Sequence, residues 1–364
     1  MIATAAVLHS SDAPYELAEV ALQEPQPGEV RVRIVGAGMC HTDTSMRSPF
    51  RDITFPAVLG HEGAGVIEAV GPGVDFSVGQ PVVLSFRSCR GCASCLNGVP
   101  VYCDEMLPMN FGLHRGDGTT AISIDGSAVG SHFFGQSSFA THAIADARSV
   151  VAVTENDPLD LIGPLGCGVQ TGAGAILNTL QPATGSSVAI LGSGAVGLSG
   201  LLAAVMAGCS TIIAVDQHQN RLDLAGDLGA THAIGADVDL TAALLEATDG
   251  RGVDHIFDTT GVGHVITAAA PALAIRGALA TVAAHGQDAV AEINLRTLLP
   301  GRSIRGVLEG EAVPQSFIPE LLTRFHSGDF PFDRLITHFS FDQINEAEAA
   351  SADGDVIKPV LLMP

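Results

Sequence analysis

Four of the seven cysteines of this 364-residue chain lie in one short stretch, SCRGCASCLNGVPVYC. They have the spacing C-x2-C-x2-C-x7-C and are Cys89, Cys92, Cys95 and Cys103. Short loops let one backbone turn direct several thiolates at a common centre, as tetrahedral Zn2+ requires. An iron–sulfur cluster usually has a different fourth spacing followed by proline, whereas Asp104 follows here, and four free thiols in an exposed loop would be a liability. The pattern therefore predicts a closed, structural zinc site.

The other three cysteines are far apart in the sequence. Cys40 begins CHTD, His61 follows in GHEGAGVIEAVG, and Cys167 lies in GCGVQTG. Two thiolates and one imidazole from separate loops could form an open zinc site with a position for water or substrate. Alternatively, Cys40 and Cys167 are small buried apolar residues, as free cysteines often are. We expect the latter for Cys209, which lies between an apolar helix and a strand.

A glycine-rich turn follows a short apolar segment at residues 188–191. Gly192, Gly194 and Gly197 form G-x-G-x-x-G, a predicted helix covers 195–207, and a predicted strand at 212–215 ends at Asp216. Such a motif alone can be an ordinary tight turn, but between a strand and a helix it predicts a Rossmann dinucleotide site. The helix N-terminus offers N–H groups to phosphate. Asp216 would bond the ribose hydroxyls and repel a 2′-phosphate, which favours NAD.

Length and composition restrict the remaining possibilities. A chain of this length favours two domains, and 47% hydrophobic residues with 42 glycines is typical of an α/β protein. The net charge of −22 and the lack of basic runs argue against nucleic-acid or anionic-membrane partners. We find no signal peptide and no apolar stretch long enough for a bilayer, so we expect a cytoplasmic location without disulfides.

Further short apolar segments, in GATHAIGAD, GVDHIFDTTG and RGALATVAAHG, extend a doubly wound parallel sheet to about residue 305. Taken in order, the motifs make the sequence similar to the zinc-containing medium-chain alcohol dehydrogenases over nearly its whole length. The motifs are CHTD at 40–43, GHEGAGVIEAVG at 60–71, the four-cysteine loop, GCGVQTGAGA at 166–175 and GSGAVG at 192–197. GCGVQTGAGAILN and residues 331–362 are most similar to the aryl-alcohol (benzyl alcohol) dehydrogenase branch.

The resemblance implies an α/β fold with two domains. One is a mainly-β, GroES-like catalytic domain at 1–168 and 306–364, and the other is a Rossmann NAD-binding domain at 169–305. It implies a homodimer or homotetramer. It also implies two zinc ions per subunit, the catalytic one held by Cys40, His61 and Cys167. That Cys2His set is already known from alcohol dehydrogenase, so the assignment follows the resemblance and not first principles.

The resemblance also implies roles for residues around that metal. Thr42 would bond the substrate oxygen and receive its proton, and Glu62 would lie behind the metal and coordinate it transiently. Asp43 would orient His61, unless it is a helix cap or a surface acid. The histidine that ends the proton relay in well-studied members is missing, and Thr44, Ser45 and Met46 occupy that stretch. The proton would leave through Ser45 and water, or through His41.

Other residues are expected to contact NAD or the substrate. His41 and Lys358 would bind the pyrophosphate, Thr171 would border the nicotinamide, and Arg221 would contact the adenosine ribose. Phe86 is a candidate wall of the substrate pocket, or a core aromatic. The full set expected at the cofactor is His41, Thr171, Gly192, Gly194, Ala195, Val196, Gly197, Asp216, Arg221 and Lys358. The histidines without metal-ligand spacing, expected to be structural or surface residues, include His114, His132, His142 and His338.

The predicted reaction is oxidation of a primary alcohol, of the benzyl type, with hydride transfer to NAD+. Two alternatives within the family are a thiol-adduct formaldehyde dehydrogenase and a terpenoid allylic alcohol dehydrogenase. An alternative of another class is a non-catalytic NAD-binding protein. The set of Cys40, His61 and Cys167 with Thr42 argues against that class, because a protein without catalysis need not keep an open metal site.

Overall fold

The fold combines two mainly antiparallel sheets with one parallel sheet. The computed structural model describes residues 1–47, 53–283 and 289–364. One compact unit comprises Met1–Cys167, Val313–Leu322 and Ile336–Pro364, and the other comprises Gly168–Ala312 and Thr323–Leu335. Within those described ranges, no helix has the length and apolar character needed to cross a membrane.

The first part of the chain is mainly β-structure. Its strands are β1 (Ile2–Leu8), β2 (Glu16–Leu22), β3 (Glu29–Gly38), β4 (Ala57–Val58), β5 (Glu62–Val70), β6 (Pro81–Leu84), β7 (Ile122–Ile124), β8 (Ser127–Val129), β9 (His142–Asp146) and β10 (Val150–Ala152). Short helices are α1 (His41–Ser45), α2 (Ala93–Leu96) and α3 (Met106–Phe111). In β3, Val30, Val32 and Ile34 are buried and alternate with two arginines, the period of two expected for a strand with one face on a core.

The middle part alternates helices and strands. Its helices are α4 (Gly168–Gly174), continued by a π-helical turn at Ala175–Leu180, α5 (Ala195–Met206), α6 (Gln219–Asp227), α7 (Leu240–Glu246), α8 (Gly263–Ala269) and α9 (Leu295–Leu298). Its strands are β11 (Ser187–Leu191), β12 (Thr211–Val215), β13 (His232–Ile234), β14 (Val253–Asp258), β15 (Leu273–Thr281) and β16 (Ser303–Gly306).

The six strands β11–β16 form one parallel sheet in the order β13-β12-β11-β14-β15-β16. The order reverses between β11 and β14, which makes this a doubly wound sheet with its switch point at those strands. In β11, residues Ala189, Ile190 and Leu191 have no exposed surface, as expected for a parallel strand covered on both faces.

Most of the C-terminal part belongs to the first unit, whereas residues 323–335, which include the end of its first helix, belong to the other unit. The C-terminal part contains α10 (Pro314–His326), β17 (Ile336–Ser340), α11 (Ile344–Ala352) and β18 (Lys358–Leu362). The two sheets of this unit have the orders β4-β1-β2-β7-β8 and β10-β6-β5-β3-β18-β17, with β9 also paired to β3. Their named strand pairs are antiparallel except β17 and β18, which are parallel. Because β18 pairs with β3, the end of the chain lies beside a strand from its beginning.

The predicted fold class is confirmed: a GroES-like β domain accompanies a Rossmann-like parallel sheet. The predicted strand at 188–191, helix at 195–207 and strand at 212–215 correspond to β11, α5 and β12. β16 ends at Gly306, next to the expected end of the sheet. Part of the segment RGALATVAAHG lies outside the described residues. The expected domain bounds of 1–168 with 306–364, and 169–305, stay a prediction.

Candidate active site and metal centres

Asp43 connects a helix cap to the imidazole of His61. Its Oδ2 accepts a hydrogen bond from the Cys40 backbone N–H at 3.0 Å, which caps α1. Its Oδ1 lies 3.0 Å from the Gly60 N–H and 3.0 Å from Nδ1 of His61. The carboxylate is 1% exposed. The two predicted alternatives for Asp43, a helix cap and a partner of His61, are therefore combined in one carboxylate.

The structure brings Cys40, His61, Glu62 and Cys167 together. One ligand atom from each lies within 4.8 Å of all the others. His61 is fully buried, and its Nε2 has no hydrogen-bond partner although Nδ1 is bonded to Asp43. A proton on Nδ1 facing a carboxylate leaves the Nε2 lone pair for a metal. The donor set, two sulfurs and one nitrogen with a carboxylate behind, suits zinc.

Electrostatics at this group, in the absence of a metal, favour a thiolate at Cys40 and a proton on His61, which a bound metal would displace from Nε2. The hydrogen bond from the Cys167 thiol, together with the charges of Lys358 and His61, lowers the pKa of Cys40 well below its usual value despite burial. Burial works against a charged His61, but the Asp43 carboxylate outweighs it and raises the pKa of the imidazole. The site therefore favours a thiolate at Cys40, the form that coordinates metals.

Glu62 and Lys358 form a buried ion pair beside these ligands. Nζ of Lys358 lies 3.0 and 2.9 Å from the two carboxylate oxygens and donates to the Met39 carbonyl at 3.0 Å. Gly38 leaves room for the carboxylate, since a Cβ there would lie 2.1 Å from Oε2 of Glu62. Burial raises the pKa of Glu62, and Lys358 opposes that rise. Lys358 is 2% exposed, so these bonds do not support its expected contact with pyrophosphate, which stays a prediction.

The four-cysteine loop forms a second group of close thiols. Ligand atoms of Cys89, Cys92, Cys95 and Cys103 lie within 4.8 Å of one another. Backbone N–H groups of Cys95 and Asp104 lower the pKa of Cys92 to about 6, whereas burial raises that of Cys103 to about 12. Backbone N–H groups also point to sulfur, from Cys92 to Cys89 at 3.2 Å and from Cys89 to Cys103 at 3.2 Å. Such donors stabilise thiolates, and four sulfurs fit a tetrahedral metal.

The glycine-rich turn has the geometry of a phosphate-binding loop. Gly192 has φ of 89°, a conformation that favours glycine, and a Cβ there would lie 2.6 Å from Oγ1 of Thr259. A Cβ on Gly197 would lie 1.8 Å from the Gly192 carbonyl oxygen, so α5 can approach the turn only with glycine there. Gly194 is the N-cap of α5, and Ala195 and Val196 are its first residues. Their N–H groups lie at a helix N-terminus, where phosphate binds.

Asp216 lies directly after β12, beside that turn. Its Oδ2 accepts from the Ser193 N–H at 2.7 Å, and its Oδ1 accepts from the His218 N–H at 2.9 Å. Arg221 lies 3.9 Å from the same carboxylate, and its Nε is buried without a hydrogen-bond partner. The structure thus brings Asp216, Arg221 and the glycine-rich turn together at the carboxyl ends of β11 and β12.

Comparisons with known families match both the part of the chain with the candidate metal ligands Cys40 and His61 and the part with the glycine-rich turn. The alcohol dehydrogenase GroES-like domain matches residues 26–155, and the zinc-binding dehydrogenase domain matches residues 195–327. Geraniol dehydrogenase from Castellaniella defragrans is 46% identical over 365 aligned residues, 99% of this chain and 97% of that protein. The chain belongs to the zinc-dependent medium-chain alcohol dehydrogenases. Membership in this alcohol dehydrogenase family implies zinc and NAD(H) as general cofactors.

Two solved structures of alcohol dehydrogenases are similar to the whole chain. An alcohol dehydrogenase zinc-binding domain protein from Burkholderia ambifaria is 46% identical, with a TM-score of 0.98 and coverage of 100% of this chain and 99% of that one. Benzyl alcohol dehydrogenase from Acinetobacter calcoaceticus is 43% identical, with a TM-score of 0.96 and full coverage of both chains.

The residues expected in the proton relay of this dehydrogenase lie in and around α1. Oγ1 of Thr42 is 3.7 Å from Sγ of Cys40, next to the candidate ligands. The Ser45 hydroxyl donates to the Thr42 backbone carbonyl at 2.8 Å and not to its hydroxyl, and Met46 is buried. His41 is exposed on the same helix. The Ser45 hydroxyl proton is thus already bonded to a backbone carbonyl, and the route by which the substrate proton leaves stays a prediction.

Phe86, Cys209 and the histidines expected to be structural lie outside the two groups of candidate metal ligands. Phe86 is 3% exposed and belongs to the hydrophobic core of its unit. Burial and Asp254 raise the pKa of Cys209 to about 11, and this cysteine is in neither thiol group. The four histidines expected to be structural lie outside both metal-binding groups of the described residues, and they hydrogen-bond to neighbouring protein atoms: His114, His132, His142 and His338.

Two contacts to His61 were missed at the level of sequence. The Phe134 ring lies 4.6 Å from the imidazole, and the Gln136 amide donates to the His61 carbonyl at 2.9 Å. The Gln136 side-chain oxygen also accepts from the Gly63 N–H. Phe134 and Gln136 lie in the segment SHFFGQSS, which contains no recognised motif. Gln136 is 75 positions from His61 along the chain, so no local sequence signal could connect the two.

Proposed function

We propose that this protein oxidises primary alcohols whose carbinol carbon is attached to a flat unsaturated group, with NAD+ as the hydride acceptor. The observation behind the proposal is the convergence of Cys40, His61, Glu62 and Cys167 to within 4.8 Å in a buried position. In that arrangement Cys40, His61 and Cys167 would hold a catalytic zinc ion, and Cys89, Cys92, Cys95 and Cys103 would hold a structural one.

The residues of the site have separate tasks in this mechanism. When bound, zinc would act as a Lewis acid that lowers the pKa of the substrate hydroxyl. Asp43 would keep the His61 tautomer in which Nε2 faces the metal. Thr42, beside Cys40, would hydrogen-bond the substrate oxygen and start the relay that passes the hydroxyl proton on to solvent. Lys358 would neutralise Glu62 and hold it behind the ligands.

The cofactor proposal is NAD in preference to NADP. Asp216 is 8% exposed and lies beside the glycine-rich turn, so a 2′-phosphate there would meet a largely desolvated carboxylate. We propose that NAD contacts the glycine-rich turn, Asp216, Arg221 and Thr171. The contacts of His41 and Lys358 with the pyrophosphate stay predictions.

Two relatives support the substrate class. Benzyl alcohol dehydrogenase and geraniol dehydrogenase, each more than 40% identical, are named for alcohols in which an unsaturated carbon adjoins the carbinol carbon. Hydride leaves such a carbon readily because the product carbonyl is conjugated. Aromatic rings also surround the candidate ligand His61: Phe133 and Phe134 contact the imidazole, and Phe111 lies 5.1 Å from Phe134.

A benzyl-type substrate is our first candidate, because of the aryl-alcohol-like stretches around Cys167 and at 331–362. A terpenoid allylic alcohol is the second, because of the geraniol dehydrogenase relative. The test is kcat/KM with NAD+ for benzyl alcohol, cinnamyl alcohol, geraniol, ethanol and a formaldehyde–thiol adduct. An apolar pocket discriminates by about 1–3 kcal/mol per methylene, so we expect benzyl alcohol to lead and the unsaturated alcohols to follow. Faster turnover of ethanol or of the thiol adduct would contradict the substrate class.

We further propose that the protein is a homodimer or a homotetramer. β16 is an edge strand of the parallel sheet, and edge strands present unpaired backbone groups that a second chain can bond. Ile275, Leu295 and Leu299 are exposed near this edge, at 77%, 75% and 81%. Apolar side chains grouped at a sheet edge are typical of an interface between copies.

A further inference from the structure

The candidate ligand His61 lies where one edge of its strand runs past its neighbour. His61 directly precedes β5, and β5 pairs with β3 from Glu62 onwards. The register of β5 with β6 begins only at Ala64. In a strand, the carbonyl of one residue and the N–H two residues later lie on the same edge. The His61 carbonyl and the Gly63 N–H therefore need partners that β6 does not supply.

The side-chain amide of Gln136 supplies both partners. Its Nε2 donates to the His61 carbonyl at 2.9 Å, and its Oε1 accepts from the Gly63 N–H at 3.1 Å. Nε2 also donates to the Ser85 carbonyl at 3.4 Å. One amide thereby makes the pair of bonds that a neighbouring strand would make around Glu62. Gln136 is 1% exposed, so these bonds are shielded from water, and loss of the amide would leave buried polar groups without it.

The chain around Gln136 is itself fixed against the residues that lead to His61. The Ser138 N–H donates to the Gly60 carbonyl at 2.9 Å. A Cβ on Gly60 would lie 2.4 Å from the Phe139 backbone nitrogen, so the two stretches can approach this closely only with glycine there. The backbone that carries the amide is thus held in place independently of the amide, which gives Gln136 a fixed position relative to His61.

The segment that contains Gln136 has an unfavourable backbone conformation. His132, Phe134 and Ser137 have φ values of 70°, 51° and 56°. Left-handed backbone is unfavourable for residues with a Cβ, and it persists where the surrounding structure imposes it, often at functional sites. The same segment places the Phe134 ring 4.6 Å from the His61 imidazole. It therefore contacts both the ring and the backbone of one candidate ligand.

We propose that Gln136 is a positioning residue for the catalytic metal, because it fixes the backbone of His61 and thereby places Nε2 among the candidate sulfur ligands. The inference rests on the proposed function with a catalytic zinc ion. Asp43 sets the orientation of the imidazole through Nδ1. That bond directs Nε2 to one point only if the backbone of His61 is fixed as well, and the Gln136 amide provides this second restraint. Removal of such a partner of a metal ligand typically weakens metal binding by about 10–100-fold.

The test measures how tightly the open site binds Co2+, a metal whose visible spectrum reports the geometry of its ligands. The catalytic zinc ion is exchanged for Co2+ in each purified protein, and the Kd is measured by competition with a chelator. Gln136→Met keeps the length of the side chain and removes the hydrogen bonds. We expect it to raise the Co2+ Kd by about 10–100-fold and to shift the visible bands, since Nε2 is no longer held in one position.

Asn345→Leu is the matched control. The Asn345 amide makes the same kind of paired bonds to another backbone, since it accepts from the Tyr15 N–H at 2.9 Å and donates to the Tyr15 carbonyl at 2.9 Å. Tyr15 belongs to neither group of candidate ligands among the described residues. The control should lower Tm while the Co2+ Kd and spectrum keep their wild-type values. A purely structural role of Gln136 predicts that same pattern for Gln136→Met.

Gln136→Asn covers the case in which Gln136→Met does not fold. It keeps the amide on a side chain one carbon shorter, which cannot reach both backbone groups, and it should also raise the Co2+ Kd. A wild-type Kd and spectrum in Gln136→Met, or in Gln136→Asn if that variant alone folds, would overturn the role of Gln136. A wild-type protein whose open site binds neither Zn2+ nor Co2+ would instead contradict the proposed function.

Discussion

At the scale of single residues, we expect Asp216 to decide between the two nicotinamide cofactors. We expect Asp216→Ser to lower kcat/KM with NAD+ by about ten- to a hundredfold, because hydrogen bonds to a charged group contribute about 1.5–3 kcal/mol. The same variant should raise kcat/KM with NADP+, since the repulsion of the 2′-phosphate is removed. Steady-state kinetics with each cofactor at saturating benzyl alcohol measures both changes.

The control for this variant is Asp223→Ser, on the exposed surface of the adjacent helix α6, where its partner is Gln219. It makes the same chemical change away from the glycine-rich turn and should leave the cofactor preference as it is. A wild-type protein that uses NADP+ as efficiently as NAD+ would show that the role given to Asp216 is wrong.

At the scale of elements, we expect the four-cysteine loop to depend on a metal for its structure. Between Cys89 and Cys103 the only helical elements are α2 and a short 3-10 turn, and Cys92, Cys95 and Cys89 are only partly buried. Val101 and Cys103 join the hydrophobic core of the unit, but the other three thiols only pack against its margin, so we expect metal coordination to hold the loop together. We expect Cys95→Ser to reduce zinc from two ions to one per chain and to lower Tm by roughly 5 °C or more.

Cys209→Ser is the matched control, since this partly buried thiol belongs to neither group of candidate ligands. It should keep both zinc ions and change Tm less than Cys95→Ser does.

Cys40→Ser should abolish turnover while the protein remains folded, because the loss of a ligand is confined to the open site. A wild-type protein with one zinc ion per chain by elemental analysis would refute the two-site assignment.

At the scale of the whole molecule, the edge of the parallel sheet is the expected interface between subunits. We expect light scattering to give the mass of a dimer or a tetramer for the wild type. The double substitution Leu295→Glu and Leu299→Glu adds charges to two exposed apolar positions beside that edge and should lower the mass. Val78→Glu, at another position that is 65% exposed, should leave the mass unchanged. A monomeric wild type would contradict the proposal.

The sequence alone determined the features whose residues are close together along the chain. The four thiols of the cysteine loop are grouped by local turns, and the glycine-rich turn, its helix and Asp216 belong to one βαβ unit. Their chemistry depends on short-range geometry, which residue type and spacing specify. For Cys40, His61 and Cys167 the local pattern left a core role open, and only the resemblance to known dehydrogenases joined them into one site.

Only the tertiary structure decided the contacts between distant residues. Lys358 and Glu62 are 296 positions apart, Gln136 and His61 are 75 apart, and Glu309 and Thr171 are 138 apart. Their pairing depends on which strands are neighbours in the sheets, as when β18 pairs with β3 and brings Lys358 to Met39. Strand order results from packing of the entire chain, and no local spacing encodes it. A lysine expected at a phosphate was therefore found bonded to a buried glutamate.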